Sequence, residues 1–261
     1  MTGRVALVTG AARGIGAATA RALAEQGWRL VLVDRCANDP ALAYPLATPE
    51  ELDAVAAACG DALAIVGDVR DQSAMDAAVQ AATDRFGGLD AAVAAAGCVA
   101  GGDPTWTTDE DTWETMLGVN LEGVWRLTRA AVPALLARPV PRHGRIVAIS
   151  SMGGTVGLPL LTAYVVAKHG VNGLVRSLAA ELGPQGITVN AVAPGSTATA
   201  MLAASAAVYG LADPAELIHQ HLLERPLHPD EVAALVAWLC GESSSGITGA
   251  VMPVDAGATS R

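Results

Sequence analysis

Arg4-Val5-Ala6-Leu7-Val8 leads into Thr9-Gly10-Ala11-Ala12-Arg13-Gly14-Ile15-Gly16, and Arg29-Leu30-Val31-Leu32-Val33 ends at Asp34. Both apolar runs have the length and composition of buried strands. Between them a helical pattern runs from Ala17 to Gln26 and stops at Gly27. This is a βαβ unit with a glycine-rich first turn and an acid closing its second strand. Such glycines let the backbone approach a pyrophosphate, and the helix N-terminus offers free N–H groups and the positive end of its dipole. The spacing is GxxxGxG rather than the commoner GxGxxG. A glycine-rich turn alone says little, but the strand before it, the helix after it and an acid 18 residues past Gly16 give a specific signal.

The same alternation continues. Residues 36–48 carry two prolines and no period, which predicts an extended loop. Thr48 and Pro49 then open a helix as N-cap and first residue. Strands are predicted at 62–66, 89–95, 145–149, 187–192 and 250–254. Helices are predicted at 71–86, capped by Asp71, at 109–137, from Tyr164 through Leu182, and at 230–239. Pro194-Gly195 breaks the chain, and 196–224 reads as an interrupted helical flap. Strands alternating with helices imply a parallel sheet covered on both faces. With no linker or repeat, the expectation is one doubly wound α/β domain over 1–261, with a mostly parallel seven-stranded sheet. Within it, 36–50 is an insertion near the nucleotide, and 195–224 is a substrate-side flap.

A second cluster lies in Ser150-Ser151-Met152-Gly153-Gly154 and Tyr164-Val165-Val166-Ala167-Lys168. Ser151 follows a strand and precedes Tyr164 by thirteen residues. Tyr164 and Lys168, four apart, share a helix face. A phenol ordinarily titrates near 10, and an adjacent ammonium favours the phenolate. The pair therefore predicts a general acid/base with a lowered tyrosine pKa.

Of 261 residues, 52% are hydrophobic and 16% charged, which allows a sizeable core. Mean hydropathy is +0.38, yet no apolar run approaches the roughly 20 residues of a membrane span. A net charge of −10 without a Lys/Arg cluster argues against nucleic acid. Met1-Thr2-Gly3-Arg4 runs straight into the first strand, so no signal peptide is expected. Cys36, Cys59, Cys98 and Cys240 are scattered and are read as reduced thiols of a cytoplasmic protein, with Cys36 a candidate reactive one. The histidines show no metal spacing, His219 and His221 are read as an incidental pair, and no metal is expected.

With these pieces placed, the chain resembles the short-chain dehydrogenase/reductase family along nearly its full length. The matching residues are Thr9-Gly10 through Gly14-Ile15-Gly16, Asp34, Asp68-Val69, Asn120, Ser151, Tyr164-xxx-Lys168, and Pro194-Gly195 with Thr199. The resemblance implies hydride transfer between an alcohol or carbonyl and NAD. Tyr164 would move the proton, and Ser151 would hold the substrate oxygen. Lys168 would lower the tyrosine pKa and grip the nicotinamide ribose, while Asn120 would hold a water beside Lys168. Gly10, Arg13, Gly14, Ile15, Gly16, Asp34, Arg35, Asp68, Val69, Gly97, Pro194, Gly195, Thr197 and Thr199 would line the cofactor together with Tyr164 and Lys168. Asp34 would accept from both ribose hydroxyls and repel a 2′-phosphate; Arg13 and Arg35 keep an NADP reading open. Ala95-Ala96-Gly97 departs from the family's Asn-Ala-Gly, which puts local bracing in doubt.

Asp34-Arg35-Cys36-Ala37-Asn38-Asp39-Pro40 and Tyr44-Pro45-Leu46-Ala47-Thr48-Pro49-Glu50-Glu51-Leu52 are similar to the lengthened segment of the mycofactocin-coupled, carveol-dehydrogenase-like branch. In that branch the segment is thought to cover the cofactor. This implies a tightly bound NAD with mycofactocin as external electron acceptor. The apolar candidates Cys98, Val99, Met152, Leu158, Leu160, Met201, Leu202 and Tyr209 suggest an uncharged hydrophobic alcohol or ketone. Family members are often tetramers with helices such as 109–137 and 162–183 at the interface, so a homotetramer is expected. The alternatives are an ordinary reductase exchanging NAD(P)(H) and a non-catalytic nucleotide sensor.

Overall fold

Strand β1 (Val5–Thr9) alternates its side chains between two separate cores, and this decides the architecture. Val5 and Leu7 join the apolar cluster on one face, Ala6 and Val8 the cluster on the other. Both faces of the sheet must then be covered. Helices α3 (Gln72–Phe86), α5 (Gly123–Leu136) and α6 (Thr162–Leu182) pack on the first face. Helices α1 (Gly14–Glu25), α2 (Pro49–Cys59) and α8 (Pro229–Cys240) pack on the second. The computed structural model describes residues 3–260; Met1 and Thr2, part of the N-terminal reading above, and Arg261 lie outside the described residues.

The remaining strands are β2 (Arg29–Asp34), β3 (Ala62–Val66), β4 (Ala91–Ala94), β5 (Gly144–Ile149), β6 (Ile187–Pro194) and β7 (Val251–Val254). All seven pair in parallel in the order β3-β2-β1-β4-β5-β6-β7. The order reverses between β1 and β4, where connections leave in opposite directions and open a crevice beyond the carboxyl ends of the strands. No helix among the described residues is long and apolar enough to cross a membrane.

The helix expected over 109–137 is split. Helix α4 (Glu110–Leu117) passes into a π turn (Gly118–Glu122), and α5 follows. The wider turn inserts one residue and turns Asn120 inward, where it is wholly buried. A 3.6-residue pattern carries no mark of such an insertion. The flap contains α7 (Ala200–Val208) and a 3₁₀ segment (Pro214–Gln220). His221, read from sequence as incidental, is buried and pins the flap. One ring nitrogen accepts from Ser196 N–H at 3.2 Å and the other bonds the Arg225 carbonyl at 2.9 Å.

The glycine-rich turn depends on one close approach. A Cβ on Gly16 would stand 2.0 Å from the Gly10 carbonyl oxygen. Gly16→Ala is therefore expected to cost about 1–3 kcal/mol of stability and to abolish nucleotide binding. Urea unfolding and calorimetric titration with NAD check both; unchanged affinity would show that the turn tolerates the methyl group.

Candidate active site

One cavity of about 1120 Å³ occupies the crevice at the carboxyl ends of the strands. It exceeds the roughly 300–1,000 Å³ of ordinary small-ligand pockets. Gly10, Arg13, Gly14, Ile15, Gly16, Asp34, Arg35, Asp68 and Val69 line one end. Gly97, Ser151, Tyr164, Lys168, Pro194, Gly195, Thr197 and Thr199 line the other. Of the catalytic and cofactor-binding residues expected from sequence, Asn120 alone lies behind the wall rather than on it.

At the first end, α1 begins without a side-chain cap and without an acid in its first turn. Its amide groups and positive dipole end therefore face the cavity uncompensated, as an anion site requires. Asp34 is held from behind, its two carboxylate oxygens accepting from Ala12 N–H at 3.0 Å and Cys36 N–H at 3.4 Å. Its remaining lone pairs suit a ribose diol. The two arginines that kept a 2′-phosphate reading open are already engaged. Arg13 donates to both oxygens of Glu51, and Arg35 pairs with Asp39 and Asp68. Free amides, a carboxylate and no uncommitted cation among these residues fit a dinucleotide whose ribose carries no phosphate. Burial and the neighbouring carboxylates Asp34, Asp53, Glu51 and Glu50 push the Cys36 thiol up to about 11, so it is no thiolate at neutral pH.

At the other end, β5 delivers Ser151 and α6 delivers Tyr164 and Lys168. Ser151 Oγ accepts from Gly153 N–H at 3.0 Å and lines the cavity beside Tyr164. Lys168 Nζ donates to the Ile149 carbonyl at 2.8 Å and lies 5.7 Å from the centre of the Tyr164 ring. The expected lowering of the tyrosine pKa is not found. Burial raises it, the neighbouring Ser151 hydroxyl opposes that rise only in part, and the phenol stays protonated. Lys168 suffers the same burial, which pushes it down to about 8. Desolvation disfavours the charged form of each group and is the largest cause of both shifts.

The Asn120 side chain is buried behind the cavity wall. Its Nδ2 donates to the carbonyls of Cys98 and Met116, both at 3.0 Å, and its Oδ1 accepts from Cys98 N–H at 3.2 Å. It clamps the loop after β4 beside Lys168. A Cβ on Gly97 would come 3.1 Å from Asn120 Oδ1 and 3.7 Å from Lys168 Nζ, so the clamp closes directly on the backbone there. The bracing put in doubt by Ala95 is made by Thr9, whose Oγ1 accepts from Ala95 N–H at 3.2 Å and Ala96 N–H at 3.3 Å.

Beyond Tyr164 the cavity is mostly apolar, with Ser205 and Glu216 contributed by the flap. Cys98, Val99, Met152, Leu158, Met201, Leu202 and Tyr209 line it as expected. Leu160 does not. It sits in a tight turn with φ of +61°, and its carbonyl accepts from Gly102 N–H at 3.0 Å. Two further wall residues, Leu42 and Tyr44, come from the insertion, which the sequence read as starting at the adenosine end and closing over the nucleotide rather than as a wall beside Tyr164. Their signal was present as apolar residues between Pro40 and Pro45.

A family model described as enoyl-(acyl carrier protein) reductase matches residues 10–259. An NAD-dependent oxidoreductase of Mycobacterium tuberculosis is 39% identical over 267 residues, 98% of this chain and 96% of its own. A (−)-trans-carveol dehydrogenase of Rhodococcus erythropolis is 36% identical over 280 residues, 98% of each chain. The crystal structure of carveol dehydrogenase from Mycobacterium avium in complex with NAD superposes with a TM-score of 0.94 at 36% identity, over 100% of this chain and 99% of that one.

The lowered pKa of Lys168 makes a signed prediction for the nucleotide-free protein. Between pH 8 and the ordinary 10.5, the unfolded lysine binds a proton that the folded one does not, so stability rises with pH. Lys168→Met removes this slope. Relative to the wild type, the variant is therefore expected to be most stable below pH 8 and to lose that advantage by pH 10.5 in urea unfolding. A difference independent of pH would contradict the burial of an ammonium at this position.

Proposed function

The chain belongs to the short-chain dehydrogenase/reductase family, and from that premise we propose that it transfers a hydride between an uncharged hydrophobic secondary alcohol or ketone and a tightly bound NAD, with mycofactocin as the external electron acceptor. The observation that carries this reading is one cavity joining an uncapped helix N-terminus and Asp34 to the convergent Ser151, Tyr164 and Lys168. Relatives named as carveol dehydrogenases and NAD-dependent oxidoreductases support it.

NAD, when bound, supplies the hydride acceptor, and the chain supplies position and electrostatics. The α1 amides take the diphosphate and Asp34 the ribose hydroxyls, with Val69 and Asp68 beside the base. Thr197 and Thr199 stand at the nicotinamide end. Each threonine hydroxyl is turned onto its own loop, Thr197 Oγ1 to the Gly195 carbonyl at 3.0 Å and Thr199 Oγ1 to the Thr197 carbonyl at 3.3 Å. Ser151 Oγ orients the substrate oxygen. Tyr164 in its phenol form would donate its proton to a ketone oxygen and be left as the phenolate; in the reverse direction that phenolate would receive the alcohol's proton. Lys168 lies beside it, and its ammonium, once stabilised by the nicotinamide ribose it would hold, would favour the Tyr164 phenolate. Asn120 acts through the loop it clamps, fixing Gly97 and Cys98 beside the reacting atoms.

The cofactor-retention part of the proposal rests on the insertion. Asp39, buried at its base, pairs with Arg35 at 2.5 Å and Arg70 at 3.0 Å, and Asn38 accepts from Leu46 N–H at 2.8 Å. Pro40 and Pro45 lower the entropy lost on ordering the segment. A cover that must open for release slows dissociation. We further read the enzyme as a cytoplasmic homotetramer. Trp113 on α4 and Trp125 on α5, 37% and 44% exposed, offer apolar surface on the helices expected at the interface.

Two linked outcomes are expected. Nucleotide released by denaturing the purified protein is NAD rather than NADP. With a good alcohol and excess free NAD, reduction stops near one equivalent per site and continues only with an artificial acceptor. Steady accumulation of free NADH would favour the ordinary exchanging dehydrogenase, and shortening 38–48 to a tight turn should convert the first behaviour into the second.

A further inference from the structure

The insertion does not end at the nucleotide. Its base is fixed beside the adenosine end through Asp39, which lies against Arg35 and Arg70. Its tip crosses to the opposite end of the cavity. There Leu42 and Tyr44 pack against the buried cluster that contains Cys98, Val99, Leu161 and Tyr164 itself. The Tyr44 hydroxyl accepts from Val99 N–H at 3.0 Å, which fixes the ring against the loop that Asn120 clamps. Desolvation pushes the Tyr44 phenol upward, so it remains a neutral wall at any ordinary pH. The opposite side of this chamber is closed by the flap. Tyr209 donates to the Pro159 carbonyl at 3.0 Å, and Met201 joins the same cluster. The space beside Tyr164 is thus bounded by the nucleotide-side insertion on one flank and the flap on the other.

We propose that the Tyr44 ring is a specificity-determining wall of the substrate chamber, so that the segment covering the nucleotide also sets the size of the alcohol admitted. The proposal rests on the dehydrogenase reading above and adds to it a residue of the insertion in contact with substrate. A large planar ring held at its far end by a backbone hydrogen bond has little freedom to move aside. A substrate extending toward Val99 meets it directly. The base of the insertion has no such contact, because Asp39 lies among Arg35, Asp68 and Arg70. Retention of nucleotide and selection of substrate are therefore separable within one loop.

The experiment uses NAD-loaded protein and a size series of secondary alcohols, from 2-butanol through cyclohexanol to 4-tert-butylcyclohexanol. The readout is the ratio of kcat/KM for the bulkiest to the smallest. Tyr44→Ala is expected to raise this ratio at least about tenfold, the scale on which a hydrophobic pocket discriminates by size. Tyr44→Phe keeps the ring but frees its far end from Val99, so the ratio should rise by less than in Tyr44→Ala, with NAD dissociation unchanged. Asp39→Asn should speed NAD dissociation and leave the ratio unchanged. A second readout needs no turnover: calorimetric binding of the matching ketones to the Tyr164→Phe protein, with and without Tyr44→Ala, should show the same shift toward bulky ligands. Should Tyr44→Ala not fold, Tyr44→Leu is expected to shift both readouts in the same direction by a smaller factor. An unchanged ratio in folded Tyr44→Ala, or an equal shift in Asp39→Asn, would overturn the proposal. If the wild type oxidises none of the alcohols, the dehydrogenase reading fails, and the ketone series still decides the role of Tyr44.

Discussion

A lysine only 3% exposed at the carboxyl end of the sheet is the constraint that the catalytic half of this molecule answers. A buried ammonium is costly unless it is hydrogen-bonded and, when charged, given a partner. Its contact with the Ile149 carbonyl ties α6 to the end of β5, and that tie brings Tyr164 to the strand end from which Ser151 projects. The neighbouring wall is then held rigid by Asn120, whose amide is spent entirely on Cys98 and Met116. The π turn is the backbone's response to that demand.

The two ends of the cavity solve different electrostatic problems. At the nucleotide end, partial positive charge at the start of α1 is left open, while Asp34 supplies a fixed negative charge nearby. Arg13 and Arg35 are neutralised by Glu51, Asp39 and Asp68. That division suits a diphosphate at one place and an unphosphorylated diol at the other. Around Tyr164 the walls from Cys98, Val99, Leu158, Met201 and Tyr209 are apolar, so a neutral, apolar molecule loses least on entering, while Glu216 on the flap and Asp230 add carboxylates elsewhere in the lining. The insertion spans both ends, joining an ion-paired base to an apolar tip.

The βαβ unit is legible in the order of residues alone, because buried parallel strands read as continuous apolar runs and because Gly10, Gly14, Gly16 and Asp34 fall at fixed places on it. Ser151, Tyr164 and Lys168 are legible for a similar reason: strand-end and helix spacing bring them together. What the residue order hides depends on tertiary contact. The π turn leaves no periodic trace, His221 acquires its role only when the flap folds over Ser196, and Leu160 is removed from the pocket by a backbone turn. The direction of the Tyr164 shift is hidden too, since spacing reports the neighbour, whereas burial depends on everything packed around the pair. Tyr44 is visible as an apolar residue, but its reach to Val99 depends on the path of a loop without periodicity.

The central claim is that Tyr164 moves the proton in a hydride transfer at this site. It is tested most directly by single-turnover oxidation of a secondary alcohol by NAD-loaded protein, followed at the absorbance of reduced nicotinamide. The wild type should show one equivalent of reduction per site. Tyr164→Phe, which leaves the ring and its packing in place, should bind NAD as tightly and react at least about 100-fold more slowly. A variant that reduces its bound NAD at close to the wild-type rate would contradict the account.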